Sequence, residues 1–184
     1  MATQQDRTVY GVYIPSVLTS KVSLSVNEVG KNVKQNLEKV IQYNTEGKCI
    51  PEGFIRPNSV KVLSYSSGNI NNEMIDFQTV YECMICHPVE GMIINDCVVK
   101  TITKAGIHAE VIDENGSVPV TVFVARDHHF NDNAFSKINV NDKIKVTVVG
   151  CRFELNDKYV SVIANVMYDK NKKNEKKNVS INII

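Results

Sequence analysis

The sequence predicts an α+β domain followed by an all-β barrel, and three observations predict it. One segment near the N-terminus carries apolar residues at helical spacing, and no other does so convincingly. Short runs of alternating or continuous β-branched residues occupy most of the remainder. Between the two halves, the stretch 80–94 reads as a strand that stops at Pro88, bends, and restarts after Gly91. Proline removes a ladder donor and glycine tolerates the turn, so 88–91 is a joint. The expected division is 1–87, 88–169 and a Lys-rich tail, 170–184.

Residues 1–8 are polar. Residues 9–18 have strand composition but contain Pro15, which predicts an edge or a bend. Val22, Leu24 and Val26 alternate with Ser23 and Ser25, the pattern of a half-buried strand. Asn27 stands where an N-cap is expected, and Val29, Val33, Leu37, Val40 and Ile41 then form one apolar stripe with Lys31, Lys34 and Lys39 off it. Strands are expected at Cys49-Ile50, Phe54-Ile55, 60–65 and 76–86, with 66–72 as a loop. After the joint, five strands are expected at 92–101, 107–112, 118–124, 143–149 and 159–164. Asn115-Gly116 and 155–158 supply turns, and 127–142 a longer polar connection. Five short strands in this arrangement fit a small Greek-key barrel of the OB type.

Charge nearly cancels, with Lys+Arg 21 against Asp+Glu 20, so any nucleic-acid site must be local. No apolar run approaches the ~20 residues of a membrane helix, and no leader pattern opens the chain, so an intracellular protein without a membrane partner is expected. Five cysteines without framework spacing agree with a reducing compartment. Lys170, Lys172, Lys173, Lys176 and Lys177 outnumber Asp169 and Glu175 in the tail, which reads as a solvated segment or as a nucleic-acid-binding arm.

Cys83-Met84-Ile85-Cys86-His87 has the spacing of a c-type haem attachment motif or of half a zinc site. In a strand, however, Cys83 and Cys86 point to opposite faces, whereas chelation needs them to converge from a turn. No metal or other cofactor is expected. Nucleophile elbows, Walker loops and zinc-protease helices are absent from the sequence, and the adjacent pair His128-His129 is a weak catalytic candidate. The chain thus reads as a binding module. Lys100, Lys104, Arg126 and His128 are its candidate RNA-contacting cations, with Phe123, Phe130 and Phe153 as sparse aromatic partners.

Leu24-Ser25-Val26 leading into the helix, Glu46-Gly47-Lys48-Cys49, Gly53-Phe54-Ile55, the stretch 80–92 with Pro88-Val89-Glu90-Gly91, Val122-Phe123-Val124 and Val146-Thr147-Val148-Val149-Gly150-Cys151 occur in a familiar order. In that order the chain resembles the larger stalk subunit of multisubunit RNA polymerases. That family comprises the seventh-largest subunit of polymerase II, its archaeal counterpart known as E-prime, and homologues in large cytoplasmic DNA viruses. A viral member is the preferred reading. The resemblance implies an N-terminal tip domain and an S1-type barrel, and a non-catalytic role in transcription. It also implies docking to core polymerase subunits near the clamp, a heterodimer with a smaller helical stalk subunit, and contact with nascent single-stranded RNA. Its setting would be a virion or host cytoplasm, or a nucleus for a cellular member. By family order the core contact falls on Val29 and Gly30 and on Ser67, Gly68, Asn69 and Ile70. The chain departs from the S1 pattern after Gly106, where Ile107-His108 replace the usual stacking aromatic, making His108 a candidate substitute. A free-standing S1-domain RNA-binding regulator is the alternative.

Overall fold

A computed structural model describes residues 11–129 and 135–168. The Lys-rich tail and Phe130 lie outside the described residues. The described chain is mostly β, with one α-helix and a closed five-stranded barrel.

The first half is a six-stranded sheet built on β1 (Tyr13–Ser25), β2 (Cys49–Ile50), β3 (Gly53–Ile55), β4 (Lys61–Tyr65), β5 (Asn69–Asn71) and β6 (Met74–Cys86). β6 is its centre, pairing with β1 on one side and with β3, β4 and β5 in succession on the other. Pro15 neither bends nor ends a strand: β1 runs through it for 13 residues, with Pro15 opposite Met84. Among the described residues β1 pairs only with β6, so an edge strand absorbs the missing donor. The stretch expected as a loop at 66–72 contains β5.

The helix α1 is Val33–Thr45 and begins later than Asn27 suggests. The Glu28 carboxylate accepts both the backbone N–H and the hydroxyl of Ser25, closing a separate 3-10 turn over Val26–Glu28. The Asn36 side chain then donates to the Glu28 carbonyl, and helical bonding starts from Asn32. The apolar stripe is nonetheless as expected. Leu37 and Ile41 are buried, and Val29, Val33 and Val40 pack on the same core, against Leu24, Phe77, Tyr81 and Ile85 of the sheet.

The barrel consists of β7 (Ile93–Ile102), β8 (Gly106–Val111), β9 (Val120–Ala125), β10 (Lys143–Arg152) and β11 (Val160–Met167). Its order is β7-β8-β9-β11-β10 and back to β7, with β9 and β11 parallel and every other pair antiparallel. This arrangement fits the OB fold. Inward positions alternate along each strand, as in Val120, Val122 and Val124, and fill the interior.

The barrel core does not stop at residue 87. Tyr13, Cys49, Phe54 and Cys86 of the sheet belong to the same apolar cluster as Ile94, Val99, Val122 and Val146. Cys83 lies in the helix-side core instead, so the two motif cysteines face opposite sides of β6. Burial pushes the Cys83 thiol up to about 11 and the Cys86 thiol to about 12, so both are neutral packing groups at neutral pH. Polar contacts reinforce the seam. The Tyr13 hydroxyl donates to Asp113 at 3.2 Å, and the Arg56 guanidinium stands 5.3 Å from the Tyr13 ring centre and 3.7 Å from the Asp113 carboxylate.

At the opposite end of the sheet, Lys21, Ser23 and Asn71 all donate to Asp76, holding β1 to the β5–β6 hairpin. The Lys21 ammonium, with the Ser23 hydroxyl, lowers the Asp76 carboxyl to about 2. A depressed carboxylate contributes stability above its unfolded pKa and loses it as pH falls through the folded value. Melting temperature should therefore fall more steeply between about pH 4 and pH 2 for the native chain than for Asp76→Asn. Parallel slopes in the two proteins would refute the tie.

Candidate nucleic-acid interface

Strand register places the outward side chains of the barrel in transverse rows. His108 on β8 is opposite Phe123 on β9, Phe123 is in register with Ile163 on β11, and Ile163 is opposite Gly150 on β10. Two residues along, Glu110, Thr121, Ser161 and Arg152 form a second row. Apart from Glu110, the residues of these rows line a surface cavity of about 570 Å³, where Arg152 stands with Cys151 and Tyr159. Its floor is largely apolar and its rim carries a cation, the combination that suits a base and its phosphate.

The Phe123 ring is fixed from two sides. His108 meets it at 4.8 Å between ring centres with the planes tilted by 46°. On the other side the ring leans over Gly106, where an added Cβ would lie 3.0 Å from it and would also overlap the Val124 carbonyl. The glycine that precedes Ile107-His108 is thus required first by the Val124 carbonyl and then by the Phe123 ring. Gly106→Ala should displace the ring and lower stability by roughly 1–3 kcal/mol, as overpacking does. A melting curve unchanged from the native protein would show that neither the Val124 carbonyl nor the ring constrains this position.

The sequence-derived cations are scattered over this surface. His108 lies in the groove. Lys100 is beside it on β7, 3.6 Å from Glu110. Lys104 is exposed in the turn between β7 and β8. Arg126 is turned to structural work: it donates to the Thr103 carbonyl at 3.2 Å and stacks 5.5 Å from the centre of the Phe135 ring. His128 contacts Asn165 at 3.2 Å, and His129 Nε2 accepts the Val166 N–H at 3.3 Å. Both histidines latch a 3-10 turn onto β11, and His129 stacks on Phe135. Among the described residues no three His, Cys, Asp or Glu are grouped to hold a metal.

Sequence reasoning missed Arg152, Tyr159 and Ile163. Arg152 ends β10 and forms a 2.9 Å pair with Glu154 in which both side chains are mostly exposed. Pairs of this kind contribute about 0–1 kcal/mol, so Arg152 stays available to a phosphate. The parallel pairing of β9 with β11 brings Ile163 beside Phe123, and no local sequence signal reports that pairing.

The surfaces assigned to a core contact lie at the free end of the sheet. Ser25 is opposite Met74 and Ile70 opposite Ile75, so the end of β1 and the β5–β6 hairpin are neighbours. Ile70 is 82% exposed, and Gly30, Ser67 and Asn69 are exposed too. Val29 differs from expectation, being half-buried against the helix-side core. Gly68 is exposed as well, and a Cβ there would collide with Ile75 and lie 3.0 Å from the Phe77 ring, so it also lets the hairpin pack closely. Val26, expected to alternate into the core with Val22 and Leu24, instead follows the end of β1 and is exposed, as is Met74, and neither was assigned to the core contact.

The fold and groove define a class: a sheet-and-helix unit joined to an OB-like barrel that carries a surface groove. More particularly, the chain is similar to a protein of Acanthamoeba polyphaga mimivirus provisionally named as a DNA-directed RNA polymerase subunit. The two are 27% identical over 170 residues, covering 85% of this chain and 82% of the mimivirus protein. No protein-family model matches the chain. Among the described residues no helix is long and apolar enough to cross a membrane.

Proposed function

We propose that this chain is a non-catalytic stalk subunit of a viral DNA-dependent RNA polymerase. The similarity to the mimivirus protein, which extends over most of both chains, is the observation that carries this reading. In this role the sheet is the tip domain (1–87) and the barrel an S1-type RNA guide (88–169). The end of the sheet around Ile70 enters the core near the clamp, and a smaller helical subunit packs along both units. A second cavity of about 670 Å³ at the seam, with Val12, Ile94 and Val111 below and Asp96 and Glu114 at its rim, suits such a partner. The complex acts in the virion or host cytoplasm. A tagged full-length chain, recovered from cells in which it is naturally made, should bring down the large polymerase subunits together with one small helical chain. Recovery without polymerase subunits would overturn the assignment.

The groove supports contact with emerging single-stranded RNA that is tolerant of sequence. Its apolar floor stacks any base, and its few cations make binding weak and salt-sensitive. The full chain should bind oligo-uridine at roughly micromolar strength or weaker, with affinity falling as salt rises. Phe123→Ala and Arg152→Glu should each weaken it, while Arg126→Glu should mainly destabilise the barrel. Salt-independent binding, or binding indifferent to Phe123 and Arg152, would exclude the groove.

A further inference from the structure

The wall of the groove is built by a hairpin that the barrel strands carry and that the sheet also holds. Between β10 and β11 the chain turns through 153–159, and its flanks carry Arg152 and Tyr159 into the groove. The turn itself is closed locally: the Glu154 N–H donates to the Asp157 carboxylate at 2.7 Å, and Asn156 takes a positive φ of 70°. Beyond the barrel pairing of its flanks, it is anchored by the first half of the chain. The Cys49 N–H of β2 donates to the Asp157 carbonyl, and the Asn156 N–H donates back to the Cys49 carbonyl, each at 2.8 Å. The Cys49 thiol points at the Tyr159 carbonyl at 3.7 Å. Phe153 meets the His87 ring edge-on, with ring centres 5.4 Å apart and planes at 88°. His87 is in turn oriented by its Nδ1–H, which donates to the Glu52 carbonyl at 2.8 Å.

We propose that His87 and Phe153 are positioning residues for the RNA groove, acting through the β10–β11 hairpin to hold Arg152 and Tyr159 against the His108–Phe123 floor. This rests on the reading of the groove as an RNA site. It gives the histidine of the Cys-x-x-Cys-His stretch a role unconnected with haem or zinc. It also makes the sheet and the groove one mechanical unit: a load on β2 or on the end of β6 reaches the groove wall through two backbone hydrogen bonds and one ring contact. Neither residue lines the cavity, so an effect of either on binding must pass through the hairpin.

The test is a double-mutant cycle on the full-length chain with a fluorescein-labelled oligo-uridine 12-mer as probe. His87→Ala and Phe153→Ala are expected to weaken binding roughly threefold to tenfold. In an Arg152→Ala/Tyr159→Ala background the same changes should do less than about twofold, because the wall they position is gone. The slope of log affinity against log salt should fall by about one in His87→Ala, as it does in Arg152→Ala, since one phosphate contact is lost. A general loss of stability would leave the slope unchanged. Should the alanine variants melt, His87→Gln and Phe153→Leu retain most of the volume without the ring pair, and the same cycle applies. Native-like affinity in the His87 and Phe153 variants, or equal losses in both backgrounds, overturns the coupling while Phe123→Ala remains weak. If Phe123→Ala and Arg152→Glu also bind normally, the groove itself is not the RNA site and the coupling falls with it.

Discussion

Truncating Phe54 to alanine is expected to unfold sheet and barrel together. Phe54 is 2% exposed and sits at the crossing point of the two halves, with Cys49 opposite it on β2 and Cys86 opposite it on β6. Its ring fills the part of the core that runs on into Ile94, Val99 and the other interior positions of the barrel. Removing a buried Phe costs about 3–5 kcal/mol, because the transfer term and the cavity term add. That is a large share of the roughly 5–15 kcal/mol typical of a folded protein. The seam shares one core, so chemical denaturation should show a single transition, shifted to lower denaturant with its slope unchanged. Two transitions, one of them at the native midpoint, would mean that sheet and barrel are independent and that Phe54 belongs to only one of them.

The second large effect concerns the end of the sheet. Ile70→Asp with Met74→Asp should abolish co-purification with polymerase while leaving the chain folded. Both side chains are exposed, Ile70 to 82% and Met74 to 40%, so neither change removes core packing. Central apolar anchors of an interface commonly contribute about 2 kcal/mol or more each, so losing two lowers association by roughly a thousandfold if they are such anchors. Val29 is unsuitable for the experiment: it packs against the helix-side core, and an aspartate there would confuse unfolding with lost docking. Wild-type recovery of polymerase subunits with the Ile70/Met74 variant would move the contact elsewhere on the chain.

Local pattern carried much of this protein. The stripe from Val33 to Ile41 identified the helix and its buried face, because 3.6-residue periodicity is a property of the segment alone, whereas Val29 at its head lies before the helix. The barrel strands were legible from alternation, and the opposite facing of Cys83 and Cys86 followed from strand geometry. Capping and edge effects were less legible. Asn27 has the right chemistry for a cap, but Glu28 reaching back to Ser25 closes a 3-10 turn first, and Pro15 is harmless only because β1 is an edge.

Residues a few positions apart therefore dictate which segments are strands, which is the helix, and which side of each is apolar. The groove has a different origin, in contacts made across the whole chain. Arg126 and His128 have the chemistry of RNA contacts, but Thr103, Phe135 and Asn165, which hold them, are brought there by barrel closure. His108, Phe123 and Ile163 become one surface only when β11 inserts in parallel beside β9, placing distant stretches of chain side by side. Arg152 joins them through its pairing with Ser161 on β11, and Cys49, far back in the chain, hydrogen-bonds the turn between Arg152 and Tyr159. Such contacts depend on loop closure over long separations, and no period in the sequence encodes them.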